Sequence, residues 1–321
     1  FGGAVIAASV RPKVTTLDEA GADRVRGPRV ALHLSPYLHK YWTGESSSSL
    51  HRVLEQARAQ VRERTGVPVP PLAVRLGQGD MADDEIGLAI DETVIHWVRL
   101  DPGPPDAQPL VALEEKLPGE LEKLVPELIG VDRAAALVEA AAVHAPVLVR
   151  EVVPRVISLP LLAEVLRHLA REHVPLADVS AVLEAIALAP APQGGFTARD
   201  VPALVEQLRG QLRRQISARW APRGQLSVFT VDAMIEDAVR SAIDRREGGQ
   251  VLALEPAIAQ DIVAAVKGKL GTGPGVILTS GDVRRHLRAL LEPELPDVAI
   301  LAAHELAPGT AVTTAGRIDV A

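Results

Sequence analysis

Several short stretches of this chain bring together residue types that elsewhere do chemistry. Gly268-Lys269-Leu270-Gly271-Thr272-Gly273-Pro274-Gly275 has the glycines and the lysine of a phosphate-binding loop. Such a loop needs Gly-Lys-Ser/Thr after its glycines and directly before a helix, so that backbone N–H groups and the helix dipole meet the phosphate. Here the lysine comes first and a strand pattern follows, which makes the stretch a helix-to-strand loop. His168 and His173 are five residues apart and fall on different helix faces, whereas a helix-borne zinc pair is spaced by four. His304-Glu305 lacks the second histidine of the zinc-protease pattern, and Asp83-Asp84-Glu85 lacks the glycine and the spacing of a calcium loop. Ser280 precedes Gly281, but Gly-x-Ser-x-Gly is absent, and capping of the following helix accounts for the serine. No acid/base pair emerges. The residues point to no enzyme, no cofactor and no metal, and on their own describe a multidomain scaffold.

Composition agrees. At 321 residues the chain exceeds one comfortable core. Aromatic residues are 2% of it, so its cores are aliphatic, and exposed rings for stacking single-stranded nucleic acid are scarce. The net charge of −7 repels nucleic acid and anionic membrane surfaces. Local basic pairs, Arg213-Arg214 and Arg284-Arg285, sit in helical patterns and read as solvated faces. The absence of cysteine excludes disulfides and thiol chemistry. Phe1 to Val10 is apolar and is followed by Arg11 and Lys13, which reads either as a flexible terminal strand or as the end of a membrane helix on the cytoplasmic side, where basic residues are expected.

Residues 1–28 read as the end of a membrane helix and a linker. A small β-α-β-β-β unit over 29–109 comes next: a strand at 29–34, a helix carrying Leu50, Val53, Leu54, Ala57 and Val61, and strands at 72–76, 86–90 and 94–100. Asp91-Glu92-Thr93 forms a turn in it, and DPGPPDAQP (101–109) punctuates its end. Residues 110–192 form a helical domain. Ser158-Leu159-Pro160 opens one of its amphipathic helices, with Leu161, Leu162, Val165, Leu166 and Leu169 on one face. Another helix carries Val179, Val182, Leu183 and Ile186. Beyond PAPQGG, residues 193–321 form a C-terminal α/β domain. It begins with the capping signal Thr197-Ala-Arg-Asp200 and a helix to about 218. A strand at 226–230 and helices at 231–245 and 256–270 follow, then a β-α-β unit. The fold class is multidomain α/β plus α.

The helical domain carries a specific signature. Val153-Pro154, Ser158-Leu159, Val165-Leu166-x-x-Leu169, Glu172-x-Val174-Pro175-x-x-Asp178 and Leu183-Glu184-x-Ile186 occur in order. Leu278-Thr279-Ser280-x-x-Val283-Arg284-Arg285-x-Leu287, Leu295-Pro296 and His304-Glu305-Leu306 follow. Over about 110–306 the chain resembles the cytoplasmic region of the type III secretion export-gate family, which includes flagellar FlhA and injectisome SctV. The resemblance implies a protein of the bacterial inner membrane, tethered by preceding helices. Its cytoplasmic region would have four subdomains, assemble with copies of itself into a nonameric ring and meet other secretion-apparatus proteins, chaperones and export substrates.

One departure stands out. The family inserts a second subdomain into the first, and the cleft between them takes chaperones; here Val98-Arg99-Leu100 passes through DPGPPDAQP directly to Leu110. Most of the insert is missing. Ala177 also replaces the arginine that commonly precedes Asp178. The expected ring contact is the mixed-sign set Arg167, Arg171, Glu172, Asp178 and Glu184 on the polar faces of two helices. The expected partner surface is Tyr37, Tyr41, Trp42 and Trp97, clustered in the first domain. Two alternatives stand beside the export gate: a relative that kept the fold as a scaffold without export, and an enzyme with a site that no spacing reveals.

Overall fold

The computed structural model describes residues 29–42, 47–77, 79–100, 109–246, 249–271 and 273–320. The apolar-then-basic start and the proline-rich run 101–108 lie outside the described residues.

The first sheet has the order β2-β1-β3-β4, made of β1 (Val30–Leu34), β2 (Leu72–Leu76), β3 (Glu85–Ile90) and β4 (Thr93–Arg99). β1 pairs parallel with β2 and antiparallel with β3. Alternation sends Val30, Leu32 and Leu34 with Ile86 and Leu88 into the core. Asp91 (φ 47°) and Glu92 (φ 73°) make the two-residue turn between β3 and β4, both left-handed as a twisted hairpin demands. Helix α1 (Pro36–Trp42), which the sequence reading does not anticipate, starts on a proline and buries Leu38 and Trp42. Helix α2 (Ser47–Thr65) buries the five expected apolar residues and ends at Gly66, whose φ is +75°.

Helices α3 (Pro109–Leu128), α4 (Val131–His144), α5 (Pro146–Val152), α6 (Leu159–Arg171) and α7 (Val179–Leu188) follow. α6 buries the predicted stripe Leu161, Leu162, Val165, Leu166 and Leu169. α3 packs on α2 and on α6. A backbone bond from Leu176 N to Thr65 O (2.7 Å) ties the helical segment to the end of α2.

Thr197 then gives both its backbone N–H and its hydroxyl to Asp200 (2.7 Å each), as its capping signal suggests, over a 3₁₀ turn at Ala198–Asp200. The single helix expected to about 218 is two, α8 (Val201–Gln211) and α9 (Arg213–Trp220). Gly210 weakens the helix interior, and Leu212 at the break is buried. A parallel sheet of order β10-β5-β8-β9 follows, made of β5 (Gln225–Val231), β8 (Gly275–Thr279), β9 (Val298–Ala302) and β10 (Ala311–Ile318). The helix expected over 231–245 is shorter, α10 (Ala233–Ser241), and gives way to a hairpin of β6 (Ile243–Arg246) and β7 (Gly249–Leu252). Helices α11 (Pro256–Leu270) and α12 (Gly281–Leu291) complete the layer. No helix among the described residues is long and apolar enough to cross a membrane.

Candidate functional site

Six charged side chains, from segments far apart in sequence, meet where the helices join the C-terminal sheet. Glu172 caps the C-terminus of α6, Glu206 and Arg209 project from α8, Arg284 and Arg288 from α12, and Glu305 follows β9. Arg209 holds Glu305 at 2.5 Å and Glu172 at 3.1 Å. Arg284 binds Glu172 through both Nη atoms and Glu206 through Nε (2.9 Å) and Nη2. Glu305 also accepts the Ala302 N–H at 2.9 Å. Arg288 gives Nη1 to the carbonyls of Val298 (2.8 Å) and Pro296 (3.2 Å), and Nη2 to that of Arg171 (3.1 Å). Three guanidinium groups thus face three carboxylates, and the set is neutral.

Arg209, Arg284 and Glu305 are completely or almost completely buried. The reading of Arg284-Arg285 as a solvated face therefore fails for Arg284, because its partners lie 78 and 112 residues away, beyond any local signal. Burial pushes the Glu172 carboxyl up, but Arg209 and Arg284 outweigh it and hold the pKa at about 2. Burial opposes the charge of Arg284, yet Glu172 and Glu206 raise its pKa. Removing one member leaves a buried charge uncompensated, which costs about 3–5 kcal/mol.

A second joint lies nearby. The buried Glu122 on α3 accepts from Arg219 Nη2 on α9 (2.6 Å) and faces His173 Nδ1 (3.3 Å). His173 Nε2 faces the Pro296 carbonyl at 3.3 Å, and the imidazole stands edge-on to Trp220. Burial raises the Glu122 carboxyl, while His173 and Arg219 together lower it further. His173 is thus a link between elements. Ser280 stands at the N-cap position of α12, but its hydroxyl donates to Glu236 (2.5 Å) and makes no cap bond. Among the described residues no group of three or more His, Asp or Glu could hold a metal.

The sequence-selected residues disperse. Glu172 belongs to the buried network and is withdrawn from the surface set. Arg167 donates to the Ile129 carbonyl at 3.2 Å, and Arg171 pairs with Glu127 at 3.3 Å. Asp178 caps α7 by accepting the Ala181 N–H at 3.1 Å, and Glu184 is exposed. Trp42 is fully buried, so it belongs to the core and offers no anchor to a partner. Tyr37 and Tyr41 are exposed and stack at 6.4 Å, and Trp97 lies half-exposed across Gly87 on the sheet face.

Beside the network opens a cleft of about 1130 Å³ between α6, α8, α12 and the β6–β7 hairpin. Catalytic groups do not converge on it. The geometry is that of buried ion pairs joining separate elements, and comparison with known proteins supplies the family. The model of the FHIPEP family matches residues 106–311, nearly two-thirds of the chain. The chain belongs to the FHIPEP family. It is 30% identical over 200 residues to the flagellar biosynthesis protein FlhA of Bacillus subtilis, covering 60% of this chain and 29% of that protein. Chlamydia pneumoniae CdsV has a similar structure, with TM-score 0.74 and 23% identity over 91% of this chain and 97% of that one. Nonameric EPEC SctV-C is similar too, with TM-score 0.68 and 21% identity over 90% and 98%. The chain spans under a third of the length of the B. subtilis relative. The family match, residues 106–311, spans all six residues of the charge network.

β4 ends at Arg99 and α3 begins at Pro109, so the connection between them is short.

Proposed function

We propose that this chain is the cytoplasmic, ring-forming region of a type III secretion export gate at the bacterial inner membrane. It would be tethered there by preceding helices and would engage other apparatus proteins, export substrates or their chaperones. The FHIPEP match over 106–311 carries this reading, and the fold it shares with a nonameric SctV cytoplasmic domain supports assembly into a ring. Residues 29–109 are the first subdomain, 110–192 the helical one and 193–321 the C-terminal one. The ring contact draws on Arg167, Arg171, Asp178 and Glu184, whose surface charges each add little, about 0–1 kcal/mol, but repeat around a closed ring. Partners that usually enter the chaperone cleft would instead meet the first sheet at Tyr37, Tyr41 and Trp97, because one wall of that cleft is absent.

The short connection between β4 and α3 supports a second reading, a relative that still assembles but no longer exports. One experiment separates the two. The gene is deleted in its own host, and secreted proteins are compared with and without complementation, while the membrane-extracted protein is imaged by electron microscopy at low salt. Rings with restored secretion are expected. Rings without any secretion phenotype favour the scaffold, and a monomer at high concentration overturns both.

A further inference from the structure

The cleft between α6, α8, α12 and the β6–β7 hairpin has an uneven pairing of its charges that the family match does not explain. Each carboxylate lining it is already engaged: Glu172 and Glu206 by Arg284, Asp282 by Arg240 at 2.5 Å, and Glu292 by Arg288 at 3.7 Å. Two arginines remain. Arg199, exposed at the mouth, makes no hydrogen bond or ion pair with the described residues. Arg285 donates only to neutral groups, the Gln250 side-chain oxygen and His286 Nε2 (3.2 Å), so its charge is uncompensated. The lining as a whole balances, four arginines against four carboxylates, but Arg199 and Arg285 are left without a carboxylate partner.

A further observation points the same way. Arg288 lines the cleft, is nine-tenths or more buried, and its Nε has no hydrogen-bond partner. A buried donor left unpaired is costly unless something else satisfies it. Between the charges, Pro202, Val205 and Ile243 supply apolar wall. His168 and His286 also border the cleft; burial lowers the pKa of both, so near neutral pH they add no charge.

We propose that this cleft receives an acidic segment of a partner protein, with carboxylates of the segment bound by Arg199 and Arg285. The choice of a protein occupant rests on the export-gate reading; the preference for carboxylates rests on the cleft alone. Guanidinium forks match carboxylates in two parallel bonds. At about 1130 Å³ the space far exceeds a single phosphate and suits a run of side chains whose stems lie on the apolar wall.

The test is fluorescence anisotropy with the full chain and a labelled ten-residue peptide carrying Glu at alternate positions, beside the same peptide with Gln for Glu. The Glu peptide is expected to bind, to weaken as salt rises, and to bind at least about tenfold more tightly than the Gln peptide. Arg199→Ala with Arg285→Ala should cost it a similar factor. Arg199→Ala alone touches no structural bond, so a severalfold loss in that variant cannot be ascribed to unfolding. The proposal is overturned if the variants bind the Glu peptide as the parent does, or if the Gln peptide binds equally well. Complete displacement by inorganic phosphate at matched charge, or by anionic lipid vesicles, also overturns it, as a generic anion site. Binding is read on single chains, so failure to form rings leaves it intact, and rings without peptide binding sink this inference alone.

Discussion

Glu172 meets two guanidinium groups at the end of α6, and its carboxyl is held at about 2 against an ordinary value of 4.5. A depressed folded pKa contributes stability that is present above the unfolded value and is lost as pH falls through the folded one. The window therefore runs from about pH 5 down to about pH 2. The shift corresponds to roughly 3 kcal/mol at neutral pH. Urea unfolding at a series of pH values should show stability falling across that window, with a shallower fall in Glu172→Gln. At pH 7 the same variant should be destabilised by about 3 kcal/mol or more, because Arg209 and Arg284 keep their charge in a buried site. An unchanged acid limb would mean that the carboxylate is not held by these arginines. Glu172 reads as an outward-facing charge in the sequence because its burial depends on α8 and α12, and helical periodicity on α6 alone does not report on them.

At the scale of elements, Gly66 shows how one position joins two of them. It ends α2 in a left-handed conformation, and a Cβ there would stand 2.1 Å from the Ala177 backbone nitrogen. Gly66→Ala should therefore cost about 2–4 kcal/mol, from the φ strain together with a displaced backbone. It should also raise amide exchange at Leu176, whose N–H bonds the Thr65 carbonyl. Loss of stability with no change at Leu176 would place the cost in the helix end alone. Gly66 is legible as a helix stop but not as a contact, since nothing near it in sequence announces Ala177. The same division runs through the molecule. Strands β1 to β4 and the stripes of α6 and α7 are legible because their period is set by the core beneath them. The β6–β7 hairpin, the break at Leu212 and the early helix α1 are not, because apolar spacing alone does not register a short, half-exposed element or a turn inside a helical run. Within the site, the motif residues Arg284 and Glu305 mark the family before the structure gives them partners, while Glu206 and Arg209 carry no signal of their own.

At the scale of the whole molecule, the aliphatic composition resolves into two cores separated by the C-terminal sheet. One runs without a gap from Val30 through the helices to Leu301, and takes Leu226, Val228, Val276, Ala299 and Leu301 from one side of that sheet. The other lies against the opposite side: Ile277, Val298, Ile300 and Ile318 pack on residues of α10, α11 and α12. A parallel sheet covered on both faces buries both, which is why β9 has no exposed residue. The charge network crosses from the first core to α12, so the cores are tied by the sheet and by Arg284 and Arg288 and share little apolar contact. Weak apolar coupling lets one layer open before the other. Ile277→Ala empties a fully buried site in the second core and should cost about 2–5 kcal/mol. Hydrogen exchange followed by mass spectrometry should then show faster exchange in β8, α10, α11 and α12, with α6 and α7 unchanged. Equal acceleration in α6 and α7 would show one cooperative unit and remove the basis for treating 110–192 and 193–321 as separate subdomains. Confinement of the change would mean that the cleft beside α12 is bordered by two layers able to move independently, joined at its floor by the glutamates and arginines that surround it.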